Sequence, residues 1–221
     1  MGIVTGYIGL ISFFLLAGKF IARKSDSHKI NRFFAMLHKP VSCIFLLTCI
    51  IHLILVIPVL KTRNLAVSLS GFLAFTFVLL LIVFCHTVKN GAKKMKWHRI
   101  FTLALLAGII FHVTVYYIDF IQYKNNIQNI RITDVAITEV PDGSYIGAYD
   151  AGYIYAKVQV TVKDGFITEI TILEHDNERG QKAEVITGTI VKEQKINVDA
   201  ISGATNSSLV IKKAVENALC Q

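Results

Sequence analysis

Four apolar stretches, at 3–21, 41–60, 65–88 and 100–121, constrain this 221-residue chain more than any other feature. Each is close to the roughly 20 apolar residues that a helix needs to cross a bilayer. Hydrocarbon offers no water to bond a free N–H or C=O, so stretches of this kind are expected as helices. The composition changes near residue 122, and the remainder reads as a water-soluble domain. The expected fold is a membrane all-α four-helix bundle followed by a small α+β domain. Residues 1–122 form the bundle, 123–140 a linker and 141–221 the second domain. The first stretch lacks the basic start and small-residue cleavage site of a secretory signal, so it is expected to stay as a helix.

The formal net charge of +8 would otherwise suggest a nucleic-acid partner. The cations, however, flank the apolar stretches. Lys19, Arg23, Lys24, Lys29, Arg32 and Lys39 follow the first, and Lys89, Lys93, Lys94, Lys96 and Arg99 follow the third. Only Lys61 and Arg63 lie between the second and third. Basic loops stay in the cytoplasm. The N-terminus and the second domain are therefore expected outside, in a multi-pass protein of the cell membrane. Membrane lipid is the expected partner of the bundle, and nucleic acid is not.

His38 and His52 are fourteen residues apart, and so are His98 and His112. Fourteen residues make nearly four helical turns, so both members of a pair face one side, separated by roughly 21 Å along the axis. Two such helices would bring four imidazoles together at two levels. That pattern suits two bis-histidine haems b with His38, His52, His98 and His112 as metal ligands, since His is a common axial ligand. The plainer reading is interhelical hydrogen bonding, which two matched pairs make harder to sustain. Pro40 follows His38 closely and would kink a helix there, which makes His38 the least secure ligand. His86 is a spare candidate for that level, and His28 lies in a polar loop. Cys43, Cys49, Cys85 and Cys220 form no disulfide framework or C-x-x-C motif.

The segments around His38-Lys39…His52 and His98-Arg99…His112 align with an offset of sixty residues, as in a duplicated helix hairpin. With its paired histidines, the membrane part resembles the ferric-reductase-like cytochromes b. The resemblance is one of pattern, and the flavin and nicotinamide domains found on many such reductases are not evident.

Beyond residue 129 the pattern changes to period two. Residues 155–162 alternate as a half-buried strand does. Asp164-Gly165 signals a hairpin, 166–173 a second strand, and Asp142-Gly143 and Gly152 earlier turns. Leu209, Val210, Ala214, Val215, Ala218 and Leu219 follow helical spacing. The sharpest local motif is Asp199-Ala-Ile-Ser-Gly-Ala-Thr205. Gly203 and Ala204 leave the backbone open, and Thr205 stands at the start of the last helix, where an anion such as phosphate is favoured. From chemistry alone, a capped turn fits the motif as well.

Asp-x-x-Ser-Gly-Ala-Thr resembles the attachment motif of the FMN-binding domain family, which includes flavin-bearing subunits of sodium-pumping NADH:quinone oxidoreductases. Asp142–Gly147, 160–165, 170–175 and the closing Ala-Val-Glu-Asn-Ala-Leu resemble it too, so the likeness runs from about 141 to 219. It implies covalent FMN on Thr205 as a phosphoester, placed there by a flavin transferase. Asp199, Ser202, Gly203 and Ala204 complete the motif, and Glu174 and His175 match a segment that approaches flavin. The family's Thr-Pro-Gly-x-Gly type turn is replaced here by Asp176-Asn-Glu-Arg-Gly180.

Together these features predict transmembrane electron transfer. A quinol or cytoplasmic redox donor would feed two haems, then the FMN, then an external electron acceptor, as in an oxidoreductase of the flavocytochrome type. Two other readings are a quinol-linked subunit of a larger redox complex and a non-redox flavin-binding membrane sensor. No residue is singled out as catalytic.

Overall fold

A computed structural model describes residues 2–24, 27–177 and 179–220. Glu178, in the loop that departs from the family turn, lies outside the described residues, as do the terminal Met1 and Gln221. The chain divides into two compact units, Met1–Lys61 with Ser68–His112, and Thr62–Val67 with Val113–Gln221.

Helices α1 (Gly2–Ala22), α2 (His28–Val56), α3 (Leu65–Thr87) and α4 (Gly91–Asn129) are each long and apolar enough to cross a membrane. A 3₁₀ turn, Ile57–Thr62, extends α2. Pro40 lies within α2 without ending it, and Ser42 Oγ donates to the His38 carbonyl at 2.6 Å. Leu47, Leu69 and Leu103 are each more than half exposed. Apolar faces of this extent are unfavourable in water and favourable in lipid. The first unit's buried cluster takes one residue from every helix: Phe13, Phe45, Val78 and Leu105. Phe45 lies seven residues from both His38 and His52, and Leu105 seven from both His98 and His112. The packed layer therefore falls between the two histidine levels.

The second unit is α+β. Strands β1 (Gly143–Asp150), β2 (Tyr155–Lys163) and β3 (Phe166–Asp176) form an antiparallel sheet in that order. On β2, Ala156, Val158, Val160 and Val162 are buried while their neighbours are not, as period-two alternation requires. Asp164 (φ 53°) and Gly165 (φ 77°) turn β2 into β3, and two successive left-handed residues match the twist of a hairpin. A short helix α5 (Ile186–Glu193) and the final helix α6 (Thr205–Leu219) complete the unit. Helix α6 crosses β1 at Gly147, where a Cβ would run into the backbone of Ala214 and Ala218. Its Val210, Ile211, Ala214, Val215 and Ala218 are fully buried.

Residues 123–140, expected as a linker, join this core. Helix α4 continues to Asn129, and Tyr123, Ile127, Ile130 and Ile137 are buried among the residues of the second unit. Apolar residues that prolong a membrane helix look the same in sequence whether they end in lipid or in a domain core.

Candidate functional site

The site in the second unit forms where α6 begins. A tight turn precedes the helix: Ala204 N donates to the Ile201 carbonyl at 2.9 Å, and Ile201 N donates to Ser208 Oγ at 3.0 Å. Gly203 takes φ +72°, which a side chain rarely tolerates, and a Cβ there would stand 2.8 Å from Lys182 Nζ. The turn therefore delivers Thr205 as the first residue of α6, exposed, with a lysine ammonium beside the preceding glycine. Ala204 provides no side-chain cap. A helix start carries N–H groups that lack intrahelical partners and a positive dipole end, and here a cation lies nearby, all favourable to a phosphate group.

A cavity of about 300 Å³ opens at this helix start. Its lining includes Thr205, Asn206, Gly203, Asn177, Arg179 and Tyr123. Ser207 also lines it, and its buried Oγ has no hydrogen-bond partner among the described residues. Gly180 is needed opposite, because a Cβ there would run into Ser207. An orphaned hydroxyl, two glycines that clear space and a volume within the usual range for small-molecule sites fit a bound flavin phosphate.

The motif residues divide by position. Thr205, Gly203 and Ala204 line the cavity. Ser202 is exposed. Asp199 is exposed too, and its charge acts on Lys212, whose ammonium is buried and donates to the Val198 carbonyl at 2.8 Å. Burial pushes the Lys212 pKa down, against the pull of Asp199 and Asp134. Glu174 is exposed on β3, in register opposite Lys157 of β2. The His175 side chain is buried, with Nδ1 2.9 Å from Glu184 Oε1, and it is not among the residues lining the cavity. Tyr123, Asn177, Arg179 and Asn206 line it; of these only Tyr123 was not singled out in the sequence, since Asn177 and Arg179 stand in the departing 176–180 loop and Asn206 is a candidate cap of the last helix. The departing loop was marked by the resemblance, and its Asn177, Arg179 and Gly180 do line the cavity.

In the first unit, the rings of His38 and His98 meet edge to face with centroids 6.1 Å apart. Two imidazoles bound end-on to one metal at about 2.0 Å per nitrogen have a comparable separation. His38 Nδ1 is buried without a hydrogen-bond partner among the described residues, and His98 Nδ1 lies 3.6 Å from Cys85 Sγ. His52 Nδ1 lies 2.8 Å from the Gly2 carbonyl, and His112 Nδ1 lies 2.9 Å from Ser70 Oγ. Both rings therefore have a polar contact at Nδ1. His86 and His28 are exposed. No cluster of three or more metal-binding side chains occurs among the described residues.

A bundle of four apolar helices joined to a small domain with a phosphate-ready helix start defines a membrane-type protein with a cofactor site in its second unit. The family model for the FMN-binding domain matches residues 152–220, which include β2, β3, α5 and α6. This supports FMN as the cofactor of the second unit. Strand β1 precedes the matched residues. No curated protein and no solved structure matches the chain.

Proposed function

We propose that this chain is a transmembrane flavocytochrome. It would carry covalent FMN on Thr205 and two haems b, one held by His38 and His98 and one by His52 and His112. Its function would be electron transfer from a quinol or a cytoplasmic donor to an acceptor outside the cell. The observation that carries the reading is the position of Thr205, first in α6 and on the wall of a cavity within the FMN-binding domain.

The residues have separable tasks. Thr205 Oγ1 would be the ester oxygen, and the first N–H groups of α6 with Lys182 would balance the phosphate charge. Tyr123, Asn177 and Arg179 would bound the ring system. The four histidines would supply axial nitrogens at two depths, with Phe45 and Leu105 packed between them. When bound, haem supplies one-electron exchange, and flavin both one- and two-electron exchange. Sidedness rests on the basic loops, which would keep the N-terminus and the second unit outside the cell membrane. A flavin transferase of the host would be needed to complete the protein.

Purified protein should show haem b bands and a yellow chromophore that survives denaturation, with an intact mass raised by FMN less water. Thr205→Val should lose the flavin and the mass increment and keep the haem bands. Flavin that remains attached after denaturation of this variant would refute the ester assignment. Absence of haem bands in the wild type would leave the flavin-binding sensor as the better reading.

A further inference from the structure

His52 and His112 each lie against a hydroxyl residue followed by glycine on a neighbouring helix. On α1, Thr5 Oγ1 lies 3.4 Å from His52 Nδ1, and a Cβ on Gly6 would stand 3.2 Å from His52 Cε1. On α3, Ser70 Oγ lies 2.9 Å from His112 Nδ1, and a Cβ on Gly71 would stand 3.1 Å from His112 Cε1. Thr5-Gly6 and Ser70-Gly71 are sixty-five residues apart, and the two histidines sixty. A hydroxyl residue followed by glycine thus recurs at the place where each imidazole meets its neighbouring helix.

We infer that Thr5-Gly6 and Ser70-Gly71 are positioning pairs that orient His52 and His112 as haem ligands, an inference that rests on the haem reading above. The physical case has two parts. A partner on Nδ1 fixes the tautomer and ring orientation of a ligating histidine and raises its basicity toward the metal. The glycine lets the Cε1–Nδ1 edge lie against the helix, so the ring cannot turn without losing that bond. Close approach alone does not mark a seat, since a Cβ on Gly18 would stand 2.6 Å from Phe34 Cε1, with alanine before that glycine instead of a hydroxyl residue. At Gly108 a Cβ would meet Phe77 at 3.5 Å and Ala74 at 3.6 Å, which is ordinary contact.

The two seats are not equivalent. His52 Nδ1 also has the Gly2 carbonyl at 2.8 Å, an acceptor that side-chain substitution does not remove. Ser70→Ala should therefore disturb its haem more than Thr5→Val does.

The test uses the full-length protein in detergent, reconstituted with haem b, and reads haem content, midpoint potential, EPR g-values of the ferric state and carbon monoxide binding to the ferrous state. Ser70→Ala should retain two haems, with one midpoint shifted upward and altered g-values. Thr5→Val should shift less. Gly71→Val should lose one haem or convert it to a five-coordinate form that binds carbon monoxide. Gly108→Ala should keep wild-type values, and retained flavin in every variant checks folding. If His112→Ala loses a haem while Ser70→Ala leaves potential and g-values unmoved and Gly71→Val keeps both haems six-coordinate, the positioning pairs are overturned and the haem reading stands. If the wild-type chain binds no haem, or His112→Ala keeps both, the haem reading and the seats fall together.

Discussion

Tyr123 and Tyr153 stack face to face, with ring centroids 4.5 Å apart and planes 12° from parallel. Tyr123 also accepts a hydrogen bond from Asn206 Nδ2 at 3.0 Å, and Asn206 follows Thr205. The stack therefore braces one wall of the cavity from behind. Arg63 covers the Tyr153 ring, its guanidinium carbon 3.3 Å from the centroid. Tyr153→Ala should destabilise the second unit by about 3–5 kcal/mol, the usual cost of deleting a large buried aromatic side chain. Tyr123→Phe keeps the stack and removes one hydrogen bond, at about 1 kcal/mol. Denaturant unfolding followed by flavin fluorescence should rank the variants in that order, and equal midpoints would show that the stack is not a brace.

The pH dependence of the second unit should have two opposing alkaline parts. Burial pushes the Tyr153 pKa above its ordinary 10.0, and the neighbouring Asp119 carboxyl adds to the rise. The folded state then holds its proton more tightly than the unfolded state, so this stability is present below pH 10 and lost as pH rises above it. Burial pushes Lys212 below its ordinary 10.5. The folded state sheds that proton first, so stability should rise with pH from the lowered value up to about 10.5. Unfolding midpoints measured from pH 8 to 11 should show Tyr153→Phe weakening the loss above pH 10, and Lys212→Met flattening the rise below 10.5.

Much of this architecture was legible from periodicity. The four apolar stretches and the Asp164-Gly165 hairpin follow from local pattern, and both survive because nothing tertiary opposes them. Strand β1 was not delimited, since Gly147 breaks its apolar rhythm to admit α6. The role of 123–140 was hidden for another reason: Tyr123 and Ile127 continue the helical phase of α4, and only the fold decides what they touch. At the candidate site, the motif around Thr205 stood out because it is contiguous. Tyr123 reaches the same cavity from a distant part of the chain, so no local spacing could mark it, whereas Arg179 stands in the 176–180 loop that the resemblance marks. Thr5-Gly6 and Ser70-Gly71 become a pair only when their histidines are seen against them.

Gly203 should tolerate no side chain. Its φ of +72° disfavours one, and a Cβ would press on Lys182. Gly203→Ala should cost about 1–2 kcal/mol in backbone strain and lower the fraction of flavin-bearing protein, read by intact mass. Lys182→Gln should lower flavin incorporation without that loss of stability. Full incorporation in both variants would remove the turn and the cation from the phosphate site.

The haem levels should separate by mutation. His52→Ala and His112→Ala should each lose one haem and give nearly the same spectrum. His38→Ala and His98→Ala should lose the other, because the rings of these two meet at 6.1 Å. His86→Ala should keep both haems, since His86 is exposed at the end of α3. Loss of haem in His86→Ala together with its retention in His38→Ala would transfer that ligand to His86.

Electron flow should run outward and leave through the flavin. The basis is topological: both strongly basic loops flank the same ends of the helices, so the second unit is expected on the opposite side of the membrane from them. Proteoliposomes that contain a quinol and enclose a reductant should reduce external ferricyanide, which does not cross the bilayer. Only molecules with the second unit outward should contribute, so treatment with external protease should abolish the signal in proportion to the protein cleaved. Thr205→Val should lower the rate at least tenfold if the flavin is the exit, an increase in barrier of about 1.4 kcal/mol. Equal rates in the variant and the wild type would mean that electrons leave from the His52/His112 level and that the flavin serves another reaction. A signal that appears only with ferricyanide enclosed and reductant outside would reverse the direction.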